Sequence, residues 1–161
     1  MAQGTITLYQ EFSKSIGDGR IDLDTHTFKV AFVSVAAGTT PVIASAAVPC
    51  WGAGGTTNVS SSEVSAGGGY TAGGAALTTP TYTQSGGTAT FDDGAASITW
   101  TSAASGDPTN IKTAVIYDDG ATNKDCIGFI DMTSDGGTTP ISLLAGDITL
   151  TWNASGIFTL S

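Results

Sequence analysis

One histidine limits the acid–base chemistry open to this chain. His26 stands between two threonines in the run Asp24-Thr25-His26-Thr27-Phe28. A triad needs a base beside its nucleophile, and histidine is the usual base. No Gly-x-Ser-x-Gly surrounds any serine, so the strand–turn–helix elbow of α/β-hydrolases is missing. His26 therefore reads as a turn or strand-edge residue. The carboxylates offer little more. Asp92-Asp93-Gly94, Asp118-Asp119-Gly120 and Asp135-Gly136-Gly137 are acidic pairs or single acids followed by glycine. Adjacent aspartates on a strand point to opposite faces, whereas a glycosidase needs two carboxylates converging on one bond. Asp-Gly is a preferred turn pair, which accounts for all three. No catalytic residue is assigned.

Metal and phosphate chemistry fare no better. Aspartates on loops suit calcium, but the twelve-residue calcium loop with its closing glutamate is absent, and no metal site is assigned. Gly67–Gly74 lacks the Lys and Ser/Thr of a phosphate-binding loop, so no cofactor is expected. A glycine run among strands reads better as a loop that turns sharply or passes close to another backbone. Cys50 and Cys126 are the only cysteines and lie in no metal-ligand pattern. One bridge is arithmetically open; free, packed thiols are favoured, because cytosolic assembly keeps thiols reduced.

Three tryptophans remain. Trp100 and Trp152 share strand faces with Ile98, Ile148 and Leu150 and read as core. Trp51 lies with Val48 and Pro49 in an uncharged, glycine-rich stretch. An exposed aromatic there would anchor a protein partner, so Val48, Pro49 and Trp51 are the candidate partner-binding residues.

The elements that would position these residues are short strands. With 161 residues, 40% of them hydrophobic and 12% charged, the chain reads as a single domain over residues 1–161, able to bury a core. A net charge of −9 argues against nucleic acid and anionic membranes as partners. No apolar run is long enough for a membrane helix, and the start, MAQGTITLYQ, has neither the basic nor the apolar region of a signal peptide. Leu8, Phe12 and Ile16 are spaced for one helical face, predicting a helix from Thr7 to Ile16 ended at Gly17, with a strand through Thr5–Tyr9 as the rival. From Ile21 the period becomes two. Residues 36–66 form a long Gly/Ala/Ser/Thr-rich excursion, of the kind that is functional or mobile.

Strands are then expected at Ala75–Thr79, Thr81–Gln84, Thr88–Phe91, Ser97–Thr101, Ile111–Tyr117, Cys126–Met132, Asp147–Asn153 and Ile157–Leu160. Ile111–Tyr117, the most hydrophobic of them, should be central, and Asn153–Gly156 should join the last two as a hairpin. Short strands with turns between them predict an all-β, antiparallel β-sandwich, jelly-roll or immunoglobulin-like, with one short N-terminal helix.

Five segments in order carry a resemblance: GGGYTAGGAALTTPTYT, TATFDDGAASITWTSA, IKTAVIYDDGAT, CIGFIDM and DITLTWNASGIFTLS. Together with IDLDTHTFKVAFVS near the start, they resemble a group of small tailed-bacteriophage structural proteins. The likeness runs from about residue 8 to the C-terminus and fails in residues 36–62. It implies a non-catalytic virion protein, foremost a decoration or cement protein on the outer face of the head. Its partners would be the major capsid protein and copies of itself, in a homo-oligomer assembled in the host cytoplasm. A tail, neck or fibre protein is the alternative, and a carbohydrate-binding module a more distant one. The resemblance brings no catalytic residues.

Overall fold

The computed structural model describes residues 4–161 and is all-β. In chain order the elements are β1 (Ile6–Leu8), α1 (Phe12–Gly17), β2 (Phe28–Val33), β3 (Pro49–Cys50), β4 (Thr57–Asn58), β5 (Ala75–Ala76), β6 (Pro80–Ser85), β7 (Thr88–Asp93), β8 (Ser97–Trp100), β9 (Thr113–Asp118), β10 (Cys126–Asp131), β11 (Ile148–Thr151) and β12 (Phe158–Leu160). Short 3₁₀ turns lie at Val59–Ser62 and Leu143–Ala145. The largest sheet has the order β1-β10-β9-β2-β5, which puts β9 in the middle, as its sequence predicts. A three-stranded sheet, β12-β7-β6, and the pair β11-β8 supply further antiparallel ladders, while β3 and β4 make a two-residue parallel contact.

The N-terminal segment divides between the two readings of it. Ile6–Leu8 pairs with Ile130–Gly128 on the edge of β10, and the helix begins only at Phe12. Leu8 thus belongs to a strand, so the expected stripe Leu8–Phe12–Ile16 does not form. Sheet pairing outcompetes helix here because β10 otherwise presents an open edge. Gly17 closes the helix from inside, and the positive φ of +70° falls on Gly19.

A second departure concerns the C-terminus. β11 and β12 are not a hairpin: β11 pairs with β8 through Ile148↔Trp100, and β12 with β7 through Phe158↔Phe91. The Asn153–Gly156 loop is a crossing between two ladders, and Ile157 N–H bonds Phe91 C=O as the chain enters the second one. The C-terminus is nevertheless tied into a sheet, as expected.

Burial along the large sheet explains the rest. All six residues of β9 and all six of β10 are buried, so both faces of this sheet are covered. One face, with Val30, Phe32, Ala114, Ile116, Ile127 and Ile130, packs against Phe91, Ile98, Trp100, Ile148, Leu150 and Phe158 of the other sheets. Edge-on ring pairs Phe28–Phe91 and Phe12–Phe158 sit in this sandwich-like core. Trp100 is buried there and Trp152 half-buried against it. The opposite face, with Ala31, Val33, Val115, Tyr117, Cys126 and Phe129, packs against Tyr9, Val42, Ala46, Trp51 and Val59. The excursion from residue 36 is therefore a third layer. It has little regular structure, as its composition predicts, but it covers the sheet.

Candidate functional site

The partner-binding candidates lie in that third layer. Trp51 is only 7% exposed and stacks on Tyr117 of β9, with ring centroids 4.9 Å apart and planes within 7°. Its backbone N–H donates to Lys124 C=O at 2.8 Å. Pro49 is also buried, and Val48, with φ +40°, is half-buried. The expectation of an exposed aromatic anchor is thus corrected for Trp51. The ring belongs to the core because the outer face of β9 and β10 is apolar and needs a cover. Tyr117 is fixed in turn by donating its hydroxyl to Gly73 C=O at 2.8 Å, and burial pushes its phenol above the ordinary range.

The two thiols lie under the same layer. Cys50 and Cys126 are free and buried. Burial, reinforced by the Asp125 carboxylate, pushes Cys50 up to about 11, with Arg20 opposing. Burial and the neighbouring Cys50 raise Cys126 as well. Thiols so raised hold almost no thiolate at neutral pH and are poor nucleophiles.

His26 meets an acid that its surroundings in sequence did not suggest. Its Nδ1 lies 2.7 Å from Oδ2 of Asp118, which is fully buried at the end of β9. Asp118 Oδ1 accepts the Gly120 and Ala121 N–H groups, each at 3.0 Å. Burial raises the Asp118 carboxyl above its usual range and the contact with His26 opposes the shift. Beside it, Arg20 forms an ion pair with buried Asp125 at 2.8 Å and donates to Ser15 Oγ at 2.7 Å. Arg20, His26, Thr122, Asn123 and Asp125 line one cavity of about 300 Å³. A histidine oriented by an aspartate is two-thirds of a hydrolytic triad. The His26–Asp118 pair sits between the turn after β9 and the start of β2, where the Asp119 and Gly120 N–H groups also bond Thr27 C=O. Its evident work is to pin the turn after β9 to the start of β2. Asp119, on the other side of that turn, contacts Lys29 at 3.0 Å and Lys124 at 2.7 Å; burial alone would raise its carboxyl, but the two cations hold it below the usual range.

Two further carboxylates organise the glycine run. Glu63 Oε1 accepts the Tyr70 hydroxyl at 2.9 Å and Gly73 N–H at 2.6 Å, while the same hydroxyl oxygen accepts Phe32 N–H at 3.0 Å. Asp107 accepts Gly69 N–H at 2.6 Å through one oxygen, and Ser102 Oγ–H and Ala103 N–H, each at 2.9 Å, through the other. These bonds, with Gly69 first, hold the Asp107 carboxyl below the ordinary range. A shallow cavity of about 300 Å³ opens between the two acids, lined also by Ser34, Ser65 and Asn110. Neither acid stood out in the sequence.

Asp107 makes a pH prediction. A carboxyl whose folded pKa lies below its unfolded value of 3.8 contributes stability that is complete above that value and lost as pH falls through the folded one. Asp107→Asn is therefore expected to melt several degrees lower than the parent near pH 7, with the gap closing as both are acidified below about pH 4. Melting curves at neutral pH and at pH 3 test this; a gap that stays constant or widens in acid would contradict the role given to the ionised form.

Among the described residues no group of three or more His, Cys, Asp or Glu side chains is placed to hold a metal ion. Among the described residues no helix is long and apolar enough to cross a membrane. Compared with protein-family models, with curated proteins and with solved structures, the chain finds no match.

Proposed function

We propose that this chain is a non-catalytic structural protein of a tailed-bacteriophage particle, a decoration protein that binds the outer face of the capsid and stabilises the shell. The observation carrying the reading is the ordered succession of GYTAGG, FDDGAASITW, AVIYDD, CIGFID and WNASGI. These segments fall on β7 to β10, on the glycine run before β5 and on the loop between β11 and β12, so the resemblance lies in the framework and not in a reactive centre. The arrangement of side chains agrees with a passive role: the histidine, the thiols and the buried acids are each engaged in holding loops or lie unreactive under the third layer.

The outer surface supports the same reading. On β8 and β11 the outward residues are Ser97, Thr99, Thr149 and Thr151, with the Thr99 and Thr149 hydroxyls 2.9 Å apart. Short hydroxyl side chains lose little conformational entropy at a contact, which suits many weak, symmetric contacts multiplied by copy number. Partners would be the capsid lattice and copies of this chain.

Protein stoichiometry of purified particles, with emptied heads and detached tails measured separately, tests the proposal. Copies on the order of hundreds on the head fraction are expected. A few copies on the tail or neck fraction would move the protein to a joining or adsorption role, and absence from particles would refute a virion role altogether.

A further inference from the structure

We infer that the free edge of β6 is a self-pairing surface, through which two copies of this chain join their three-stranded sheets into one six-stranded sheet. The inference rests on the proposed self-association only in that it names the surface; the experiment below is done on the isolated chain, so its failure leaves the particle count untouched.

The edge is open by topology. β6 ends the order β12-β7-β6 and pairs on one side only, with β7. Its register runs Ser85↔Thr88, Thr83↔Thr90 and Thr81↔Asp92 around the two-residue loop Gly86-Gly87, in which Gly86 has φ +61°. A two-residue hairpin makes Ser85 and Thr88 a hydrogen-bonded pair, and the bonding alternates from there. Thr81, Thr83 and Ser85 therefore turn their N–H and C=O toward β7, while Tyr82 and Gln84 turn theirs outward. No other backbone of the described residues hydrogen-bonds to them.

Natural edges are blunted by charge, proline, bulges or a covering loop. β6 has a proline at its first position, Pro80, and no other such device. From Thr81 to Phe91 there is no charged residue, and the β6–β7 register is unbroken. Thr81, Thr83, Gln84 and Ser85 are all exposed.

A second copy fits this edge in one register. With a two-fold axis at Thr83, Tyr82 of each copy faces Gln84 of the other, and the two pairs exchange four N–H···O bonds. Thr83 faces its own copy as a close, non-bonded pair. Next to Tyr82 lies a mostly apolar groove of about 310 Å³, formed with Ile16, Ile21 and Leu23 and rimmed by Asp22 and Asp24. In this register the strand end brought toward that acidic rim is the hairpin tip Gln84–Thr88 of the second copy, which carries no carboxylate. Each copy carries a net charge of −9, and the edge segment itself adds no charge to that repulsion. An extended segment of another protein would use the same backbone groups and compete with the second copy.

Sedimentation of the full chain over a range of concentrations tests the inference. A reversible dimer is expected, tighter at higher salt as the net repulsion is screened. Gln84→Pro removes an outward N–H without touching the ladder to β7 and is expected to weaken the dimer at least about tenfold. As a second readout, the Thr83→Cys variant is treated with oxidised glutathione. Two Thr83→Cys thiols join across the axis as a disulfide while oxidised glutathione takes up the two electrons and two protons as two reduced molecules. This link should form far faster than in Thr109→Cys, whose site is exposed on the β8–β9 connection. A monomer at every concentration, a dimer indifferent to Gln84→Pro, or equal cross-linking of the two cysteine variants would each overturn the inference.

Discussion

Replacing Trp51 by alanine is expected to destabilise the isolated chain by about 3–5 kcal/mol, the usual cost of removing a large aromatic from a packed core. Chains of this size are stable by about 5–15 kcal/mol, so the variant should lose a large part of its cooperative unfolding signal or unfold outright near physiological temperature. The expectation follows from the stacked contact with Tyr117 and from 7% exposure. The Tyr117 ring would lose the stacked partner that lies over it. Urea unfolding followed by tyrosine fluorescence and circular dichroism measures the effect. Trp51→Phe should recover much of the loss, since a ring of similar shape still stacks. The outcome also decides between two roles for the residue. A docking anchor would leave the free chain's stability within about 0.5 kcal/mol and lower only its affinity for a partner, as surface changes do. A near-neutral free chain would therefore put Trp51 back among the binding candidates, with Val48 beside it.

The misreading of Trp51 shows where local pattern stops being informative. The strands were legible because their apolar residues alternate or cluster between Asp-Gly and Gly-rich turns, and Ile111–Tyr117 fell at the centre of the sheet as its unbroken hydrophobicity implied. That same unbroken run held a further message. A strand with no polar alternate must be covered twice, and the excursion between FKVAFV and TAVIYD supplies, with Tyr9, the cover of their outer face. Composition alone cannot say whether a run of Ala, Gly, Val and Thr projects from a fold or lies on it.

Long-range pairings were hidden for another reason. Asp107 meets Gly69 across 38 residues and His26 meets Asp118 across 92. No local periodicity records such partners. The free thiols, the core roles of Trp100 and Trp152 and the close backbone approach at the glycine run could be read from residue type and neighbours. The division of residues 6–17 into a strand and a helix could not, because Leu8, Phe12 and Ile16 fit one helical face until β10 offers Leu8 a better partner.

The glycine run gives the sharpest test of that close approach. Gly74→Ala is expected to cost about 3 kcal/mol or more, whereas Gly86→Ala, also at positive φ, should cost only about 1–2 kcal/mol. Gly74 has φ +76° and Gly86 φ +61°, so the strain of placing a side chain in the left-handed region is similar at both. Their surroundings differ. A methyl group at Gly86 would meet open space at the hairpin tip, while one at Gly74 would overlap the Val30 carbonyl and the Ala31 backbone of β2. β2 cannot retreat, since it is paired along its other side with β9 and both its faces are packed. The chain at Gly74 would have to move instead, taking with it the short pairing of Ala75 with Val30. Gly73, whose carbonyl holds the Tyr117 hydroxyl beneath Trp51, would be drawn along. The midpoints of urea unfolding for the two variants compare the two costs on one backbone. Equal losses would mean that positive φ alone accounts for the glycine at 74. A larger loss at Gly74, together with weakened protection of the Tyr117 hydroxyl, would tie the Gly-Tyr-Thr-Ala-Gly-Gly motif to the seating of the third layer.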